Sequence, residues 1–176
     1  MPRRLLRDRQ VVEDDWRYAE ELGCASHADA PHAAAPAAGP GAVILGFDQW
    51  RRERDAWTAR GGRLGVLLLP EHKVEQLAPD LQRLSLVALS FPGPAEGRGY
   101  TQARLLRERY GFQDELRATG YVRIDQLFFL ARCGFNSFEL ADGDIAVAGA
   151  AFSTFSAAYQ PANDRGLALK LQHPQP

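Results

Sequence analysis

The most constraining feature of this sequence is a pair of largely apolar runs, each ended by a proline. The first run covers residues 64–69 before Pro70, and the second covers residues 84–91 before Pro92. Runs of this kind are typical of strands that are buried on both faces of a parallel sheet. Amphipathic patterns with helical spacing surround them, so the sequence predicts alternating strands and helices.

This alternation continues through the middle of the chain. It favours parallel strands that are joined by right-handed crossovers. The chain has 176 residues, whereas a full eight-stranded barrel needs roughly 250. We therefore expect an α/β fold of about five parallel strands that alternate with helices, as a doubly wound sheet or an incomplete barrel. The predicted strands are residues 43–45, 64–69, 84–91, 115–119 and 135–140, and the predicted helices are residues 48–60, 71–77, 101–110, 122–133 and 145–159.

The composition changes on both sides of this body. Alanine dominates residues 24–42, but Pro31, Pro36 and Pro40 break the helix that alanines favour, which predicts a linker. Upstream of it, residues 11–18 are expected to form a short strand or hairpin. The predicted segments are an N-terminal arm (residues 1–22), an Ala/Pro-rich linker (23–42), an α/β domain (43–160) and a polar tail (161–176).

Charge and composition argue against several classes of partner. Lys and Arg number 21 against 22 Asp and Glu, and the net charge of −1 argues against a dedicated nucleic-acid binder. No apolar run approaches the roughly 20 residues of a membrane-spanning helix, and the N-terminus has no signal-peptide pattern. We therefore expect a cytoplasmic protein with no membrane partner. The four histidines and two cysteines lack metal-ligand spacing, which predicts no metal site, and the sequence identifies no cofactor.

The glycine-rich loop after the second apolar run is the strongest candidate binding site. It joins a strand to a predicted helix start, where free backbone N–H groups and the helix dipole favour an anion. Gly99 lets the backbone approach a ligand, and Arg98 adds a positive charge. Tyr100 and Thr101 offer hydroxyl groups, so the sequence predicts a site for a small oxyanion such as phosphate, sulfate, sulfite or carboxylate. An ordinary capped helix is the alternative, with Thr101 as the cap and Arg98 paired with Glu96.

Further charged residues are candidates for the same cleft. Arg117 lies in a predicted strand, where a charge is costly unless it is paired or functional. It either forms an ion pair with Glu115 and Glu139 or points into the cleft of the glycine-rich loop as part of the oxyanion site. Glu96 and Asp125 are possible acid/base groups, although an acid at a helix start also favours the helix dipole. The sequence identifies no catalytic residue.

Aromatic side chains recur at helical spacing near the end of the predicted domain. Phe128 and Phe129 lie in one predicted helix, and Phe152, Phe155 and Tyr159 lie in the next. Core packing explains such a stripe, and an interface between the subunits of a homo-oligomer is the alternative.

Several segments of the chain resemble one bacterial family, Domain of Unknown Function 934. The resemblance covers roughly residues 43–160 and is most specific in GRGYTQARLLRERYGF (residues 97–112) and DQLFFLARCGF (residues 125–135). Members of the family are often described as probable oxidoreductases involved in sulfite reduction. Two positions depart from the family pattern, since Glu96 and Tyr121 both stand where the family usually has Asp.

The resemblance implies a role in sulfur metabolism rather than a particular reaction. We expect an accessory protein of assimilatory sulfite reduction that binds a small oxyanion or docks on sulfite reductase. Two alternatives stay open: a small α/β enzyme that acts on a phosphorylated or sulfonated metabolite, and a non-catalytic interaction module.

Overall fold

Strands and helices alternate along the chain in the computed structural model, which describes residues 4–22, 41–140, 144–145, 147–148 and 163. The helices are α1 (Phe47–Arg60), α2 (Val74–Leu77), α3 (Arg98–Arg104) and α4 (Leu127–Arg132). Short 3-10 turns cover Ala19–Leu22, Ala78–Arg83 and Ile124–Gln126, and a π-helical turn at Leu105–Arg109 extends α3. The strands are β1 (Arg4–Arg7), β2 (Gln10–Glu13), β3 (Trp16–Tyr18), β4 (Ala42–Gly46), β5 (Leu64–Leu68), β6 (Leu86–Phe91), β7 (Glu115–Gly120) and β8 (Ser137–Phe138).

These eight strands form one mixed sheet in the order β2-β1-β8-β7-β6-β5-β4-β3. From β3 to β8 every neighbouring pair is parallel, whereas β1 pairs antiparallel with β2 and with β8. The predicted α/β class and its parallel core are confirmed, but eight strands replace the five expected. The additional strands lie in residues 4–18, which the sequence assigned to an arm outside the domain.

Strand order distinguishes between the two predicted architectures. In a doubly wound sheet, the spatial order of the strands reverses direction at one point along the chain. Here β3 to β8 lie side by side in the order in which they occur in the sequence, with no reversal. Crossovers of one hand then place every helix on the same face of the sheet. Helix residues such as Trp50, Ala103 and Leu130 accordingly share one buried cluster with the outward-facing residues of β4 to β8. The sheet is a curled half-barrel, which is the incomplete barrel of the prediction.

A two-residue connection shows how strongly the sheet curls. In a flat sheet, the eight strands would place β2 and β3 about 34 Å apart, since neighbours are spaced by about 4.8 Å. Only Asp14 and Asp15 connect Glu13 of β2 to Trp16 of β3, and a connection of this length spans at most about 11 Å. The two edges of the sheet therefore approach each other across the concave face.

The concave face of the half-barrel carries a second, smaller apolar cluster. Gly65 lies beside it, because a Cβ at this position would come within 3.0 Å of the Leu86 side chain and 3.2 Å of the Trp16 ring. These two side chains fill the interior next to β5. The members of the cluster are Trp16, Ala42, Ile44, Leu86 and Ala88.

Several predicted segments lie outside the described residues. They include residues 23–40 of the predicted linker (23–42), most of the last predicted helix and all of the tail except residue 163. The predicted stripe of Phe152, Phe155 and Tyr159 lies there too. In the part of the chain that is described, no helix is long and apolar enough to cross a bilayer.

Candidate functional site

The glycine-rich loop, the predicted oxyanion site, runs from Pro92 to the start of α3. This helix begins at Arg98 rather than Thr101, and Gly97 occupies its cap position without a side-chain hydrogen bond. The carboxylate of Glu96 accepts the Arg98 backbone N–H at 3.0 Å, its Nε–H at 2.8 Å and its Nη2–H at 2.6 Å. Thr101 is therefore not the helix cap, whereas the alternative pairing of Arg98 with Glu96 is confirmed.

This exposed ion pair changes what both side chains can do. The hydrogen bonds from Arg98 lower the pKa of the Glu96 carboxyl to about 2, and the same contacts raise the pKa of Arg98. At neutral pH Glu96 therefore carries no proton to donate, and its pKa lies too far from the operating pH for an effective general base. The acid/base role of Glu96 stays a prediction, and this low pKa does not favour it.

Gly99 and Tyr100, in the first turn of α3, serve packing. A Cβ at Gly99 would lie 2.6 Å from Cζ of Phe91, so the missing side chain makes room for that ring. The Tyr100 ring packs against Phe91 and Phe129, with centroid separations of 5.3 and 5.1 Å. The close approach that the sequence assigned to a ligand is made by an aromatic ring of the chain itself.

Arg117 lies on the concave face of β7 and is completely buried, with 0% exposure. Its Nε and Nη2 donate to Glu115 Oε1 at 3.1 and 2.8 Å. Its Nη1 and Nη2 donate to the two carboxylate oxygens of Asp14 at 3.1 and 3.0 Å, and Nη1 also donates to Glu139 Oε1 at 3.1 Å. The predicted ion pairs with Glu115 and Glu139 are confirmed, and Asp14 is a third partner that the sequence did not indicate.

Three carboxylates keep Arg117 charged and fully engaged. Burial alone lowers the pKa of Arg117, but Glu115 and Asp14 outweigh burial and raise the pKa above its ordinary value. Five hydrogen bonds use the five N–H groups of the guanidinium, so it has none to offer an anion. Arg98 and Arg117 pair with separate carboxylates, and among the described residues they do not form the shared oxyanion cleft.

A second set of hydrogen bonds extends the buried cluster toward the carboxyl ends of the strands. Tyr18 of β3 donates its hydroxyl proton to Glu139 Oε1 at 2.8 Å, and Thr119 of β7 donates to Glu139 Oε2 at 2.6 Å. Burial and the charge of Glu139 raise the pKa of Tyr18 well above its usual value. The phenol therefore stays neutral and acts as a hydrogen-bond donor to the carboxylate.

Asp125, the other predicted acid/base residue, lies exposed in the turn Ile124–Gln126 before α4. Burial above all, with smaller contributions from Cys133 and Asp125, raises the pKa of Tyr100. Its acid/base role stays a prediction. In the described ranges, no group of three or more His, Cys, Asp or Glu side chains is arranged to hold a metal ion.

Asp14, Tyr18 and Thr119 are polar residues of the concave face that the sequence did not place in a site. Asp14 contacts a residue 103 positions away, and Tyr18 contacts one 121 positions away. Only the curl of the sheet brings such residues together. The alternation of Trp16 and Tyr18 in a short strand was the available sign that Tyr18 faces inward.

Comparison with known proteins identifies the family of this chain. Residues 65–169 match a family described as "Bacterial protein of unknown function (DUF934)". No curated protein matches the chain. The matched range begins within β5, includes β6, β7 and β8, and covers more than half of the 176 residues. The chain therefore belongs to the DUF934 family.

Proposed function

We propose that this protein is an accessory component of assimilatory sulfite reduction and that it docks on sulfite reductase in the cytoplasm. Support for the pathway comes from the resemblance of residues 97–112 and 125–135 to a family whose members are often described as probable oxidoreductases involved in sulfite reduction. One observation favours docking over oxyanion binding. Arg98 and Arg117, the two cations expected to hold the anion, both pair with carboxylates of the same chain. An incoming anion would have to displace these carboxylates.

An exposed phenylalanine on α4 supports a docking role. Phe129 is 56% exposed, and its ring packs on Tyr100, which packs on Phe91. Phe91 in turn contacts Phe135 in the core. The exposed ring is therefore held by a row of aromatic rings and loses little conformational freedom on binding. Aromatic anchors commonly carry much of the binding energy of a protein interface.

A binding measurement with purified sulfite reductase tests the proposal. The wild-type chain binds the reductase, and Phe129→Ser weakens this binding at least tenfold because it removes the anchor; truncating such a residue costs about 2 kcal/mol or more. Val11→Ser is the matched control, since Val11 is also an exposed apolar residue but lies on the edge strand β2. Failure of the wild type to bind, or equal weakening by both variants, rejects docking through Phe129.

The oxyanion alternative has a separate test in thermal unfolding. With docking, sulfite, sulfate and phosphate raise the Tm no more than sodium chloride does at the same ionic strength. A rise in the wild type that Arg98→Ala abolishes would show ligand binding in the glycine-rich loop and would displace the docking proposal. The enzyme alternative has less support, because Glu96 is unsuited to carry a proton.

A further inference from the structure

Exposed apolar side chains collect at the carboxyl end of the neighbouring strands β5, β6 and β7. Leu69 directly follows β5 and is 37% exposed, and Tyr121 directly follows β7 and is 40% exposed. The loop after β6, the strand between them, exposes Pro92 and Pro94. Phe129 lies in the first turn of α4, which begins at the same end. In α/β barrels this is the end at which ligands bind.

A chain of contacts through α3 joins Tyr121 to Phe129. The Tyr121 backbone N–H donates to the Phe91 backbone oxygen at 2.6 Å, and the Phe91 ring packs against Tyr100 of α3. The Tyr100 ring in turn packs against Phe129. The two exposed aromatic side chains therefore belong to one continuous surface around the start of α3.

Leu69 is fixed to another side of the same helix. Gln102 of α3 is buried and donates from Nε2 to the backbone oxygens of Leu69 and His72, at 3.1 and 2.8 Å. Because Gln102 is two residues after Tyr100, the loop that carries Leu69 lies next to the aromatic contacts of α3. We call the surface formed by Leu69, Tyr121 and Phe129 the apolar end.

Hydrogen bonds hold the backbone at Leu69 before any partner binds. Its N–H donates to His72 Nδ1 at 3.0 Å, and its oxygen also accepts the His72 backbone N–H at 3.0 Å. The His72 ring packs against the buried Phe47 ring, with 4.8 Å between their centroids. Binding at this position therefore orders little of the backbone, which lowers the entropy cost of association.

The segments around the apolar end carry balanced charge. Residues 69–73, 92–101 and 120–126 each contain one acidic and one basic residue, two positions apart: Glu71 and Lys73, Glu96 and Arg98, and Arg123 and Asp125. Arg98 and Glu96 form a direct ion pair, with 2.6 Å between Nη2 and Oε2. With neutral histidine the formal charge of the three segments is zero, so this surface has no net charge with which to attract an oppositely charged partner.

We propose that the whole apolar end is the docking surface and that it meets an uncharged, apolar patch on sulfite reductase. The inference rests on the proposed docking function and specifies what the partner presents. Protein interfaces have an apolar centre and a polar rim. Here Leu69, Tyr121 and Phe129 form the centre, and the charge-balanced segments form the rim. An apolar patch on the partner removes these three side chains from water, which a charged patch does not favour.

Binding of the full-length chain to purified sulfite reductase, measured by calorimetry at low and at high sodium chloride concentration, tests the inference. We expect the affinity not to fall as the salt concentration rises, because salt screens charges and leaves apolar contacts intact. Tyr121→Ser weakens binding about tenfold and Leu69→Ser about fivefold, because each removes part of the apolar centre. Both side chains are exposed, so we expect both variants to fold, which circular dichroism checks. Val11→Ser, the same kind of change on β2, retains the affinity.

The outcomes separate this inference from the proposed function. A wild-type chain that does not bind the reductase would reject the docking function itself. Binding that Phe129→Ser weakens but that Leu69→Ser and Tyr121→Ser leave unchanged would keep docking and overturn the apolar end as its surface. Affinity that falls steeply with salt would show a charged partner surface and overturn the inference. A dimer of the free chain that Leu69→Ser dissociates, detected by sedimentation, would show that a second copy covers the surface and would also overturn it.

Discussion

Two arginines illustrate how burial determines what a single residue contributes. Arg117 is enclosed with three carboxylates that compensate for the hydration it has lost. Arg98 also has a close carboxylate partner, but this pair lies in water, where ion pairs contribute little to stability. Replacing Arg98 is therefore expected to cost less folding stability than replacing Arg117.

Arg117→Met is expected to lower the free energy of unfolding by about 3–5 kcal/mol, because it leaves buried carboxylates without their counter-charge. Urea unfolding followed by circular dichroism measures the change. Arg98→Met is the matched control and lowers the unfolding midpoint much less, because its ion pair is exposed to solvent. A loss of stability in Arg117→Met that is no larger than in the control would contradict the compensating role of this residue.

Glu96 is expected to titrate far below its ordinary range. Its pKa of about 2 in the folded protein lies below the reference value of 4.5, so the stability contributed by the pair is present above pH 4.5 and is lost as the pH falls toward 2. Carbon-13 NMR of the Glu96 carboxyl measures this pKa. In Arg98→Met it returns toward 4.5, and an ordinary value in the wild type would show that the pair does not form in solution.

At the scale of elements, Phe91 determines how β6 fits its neighbours. Gly99 of α3 faces the Phe91 ring, and Gly120 of β7 approaches the Phe91 backbone oxygen, 2.5 Å from where its Cβ would lie. Gly120 also has φ +91°, which disfavours other residues. Strand β6 therefore contacts α3 at Gly99 and β7 at Gly120, and neither position has a side chain.

Gly99→Ala tests this packing. Alanine favours a helix over glycine by roughly 0.5–1 kcal/mol, but overpacking against the Phe91 ring costs about 1–3 kcal/mol, so we expect a net loss of stability in thermal unfolding. Gly93→Ala, with open space around it, is the control. In the double variant with Phe91→Leu, the cost of Gly99→Ala is smaller; an undiminished cost would place the strain elsewhere.

The sequence predicted the central elements more closely than the peripheral ones. Strands β5 and β6 agree with the two apolar runs, and β7 with its predicted strand, to within two residues at each end. For β5 and β6 this is because burial on both faces produces a continuous apolar signal. Strands β1 and β3 have four and three residues, too few for a clear period. Helix α3 begins before Thr101 because backbone geometry at Gly97, rather than a hydroxyl cap, starts it.

The ion pairs of Arg117 were partly predictable because two of its partners lie close to it in the same strand or follow the neighbouring strand. Glu115 is two residues away in the same strand, and Glu139 follows the neighbouring strand, so both belong to one face of adjacent strands. Asp14 and Tyr18 reach the cluster from the opposite edge of the sheet. Their positions depend on the curl, which the pattern of apolar residues does not encode.

At the scale of the whole molecule, contacts across the concave face hold the two edges of the sheet together. Asp14 in the connection between the edges contacts β7 through Arg117, and Tyr18 of β3 contacts Glu139 after β8. These polar contacts supplement the backbone hydrogen bonds of the strands. Their loss is therefore expected to loosen the edges before it affects the centre.

Asp14→Ala is expected to increase hydrogen exchange in residues 4–18 while β5, β6 and β7 stay protected, because local opening begins where contacts are fewest. Exchange followed by mass spectrometry measures the difference between these segments. Asp15→Ala is the neighbouring control, since the Asp15 side chain is 50% exposed. Uniform loss of protection across all strands would contradict a local role for Asp14.

The long separation between Tyr18 and Glu139, 121 residues along the chain, has a consequence for biosynthesis. At about 5–20 residues per second, the ribosome completes the later residue on the order of ten seconds after the earlier one. During that interval β1, which contains Leu5 and Leu6, lacks β8, one of its two neighbouring strands in the finished sheet. The edge of β1 that later pairs with β8 therefore stays unpaired for several seconds of translation.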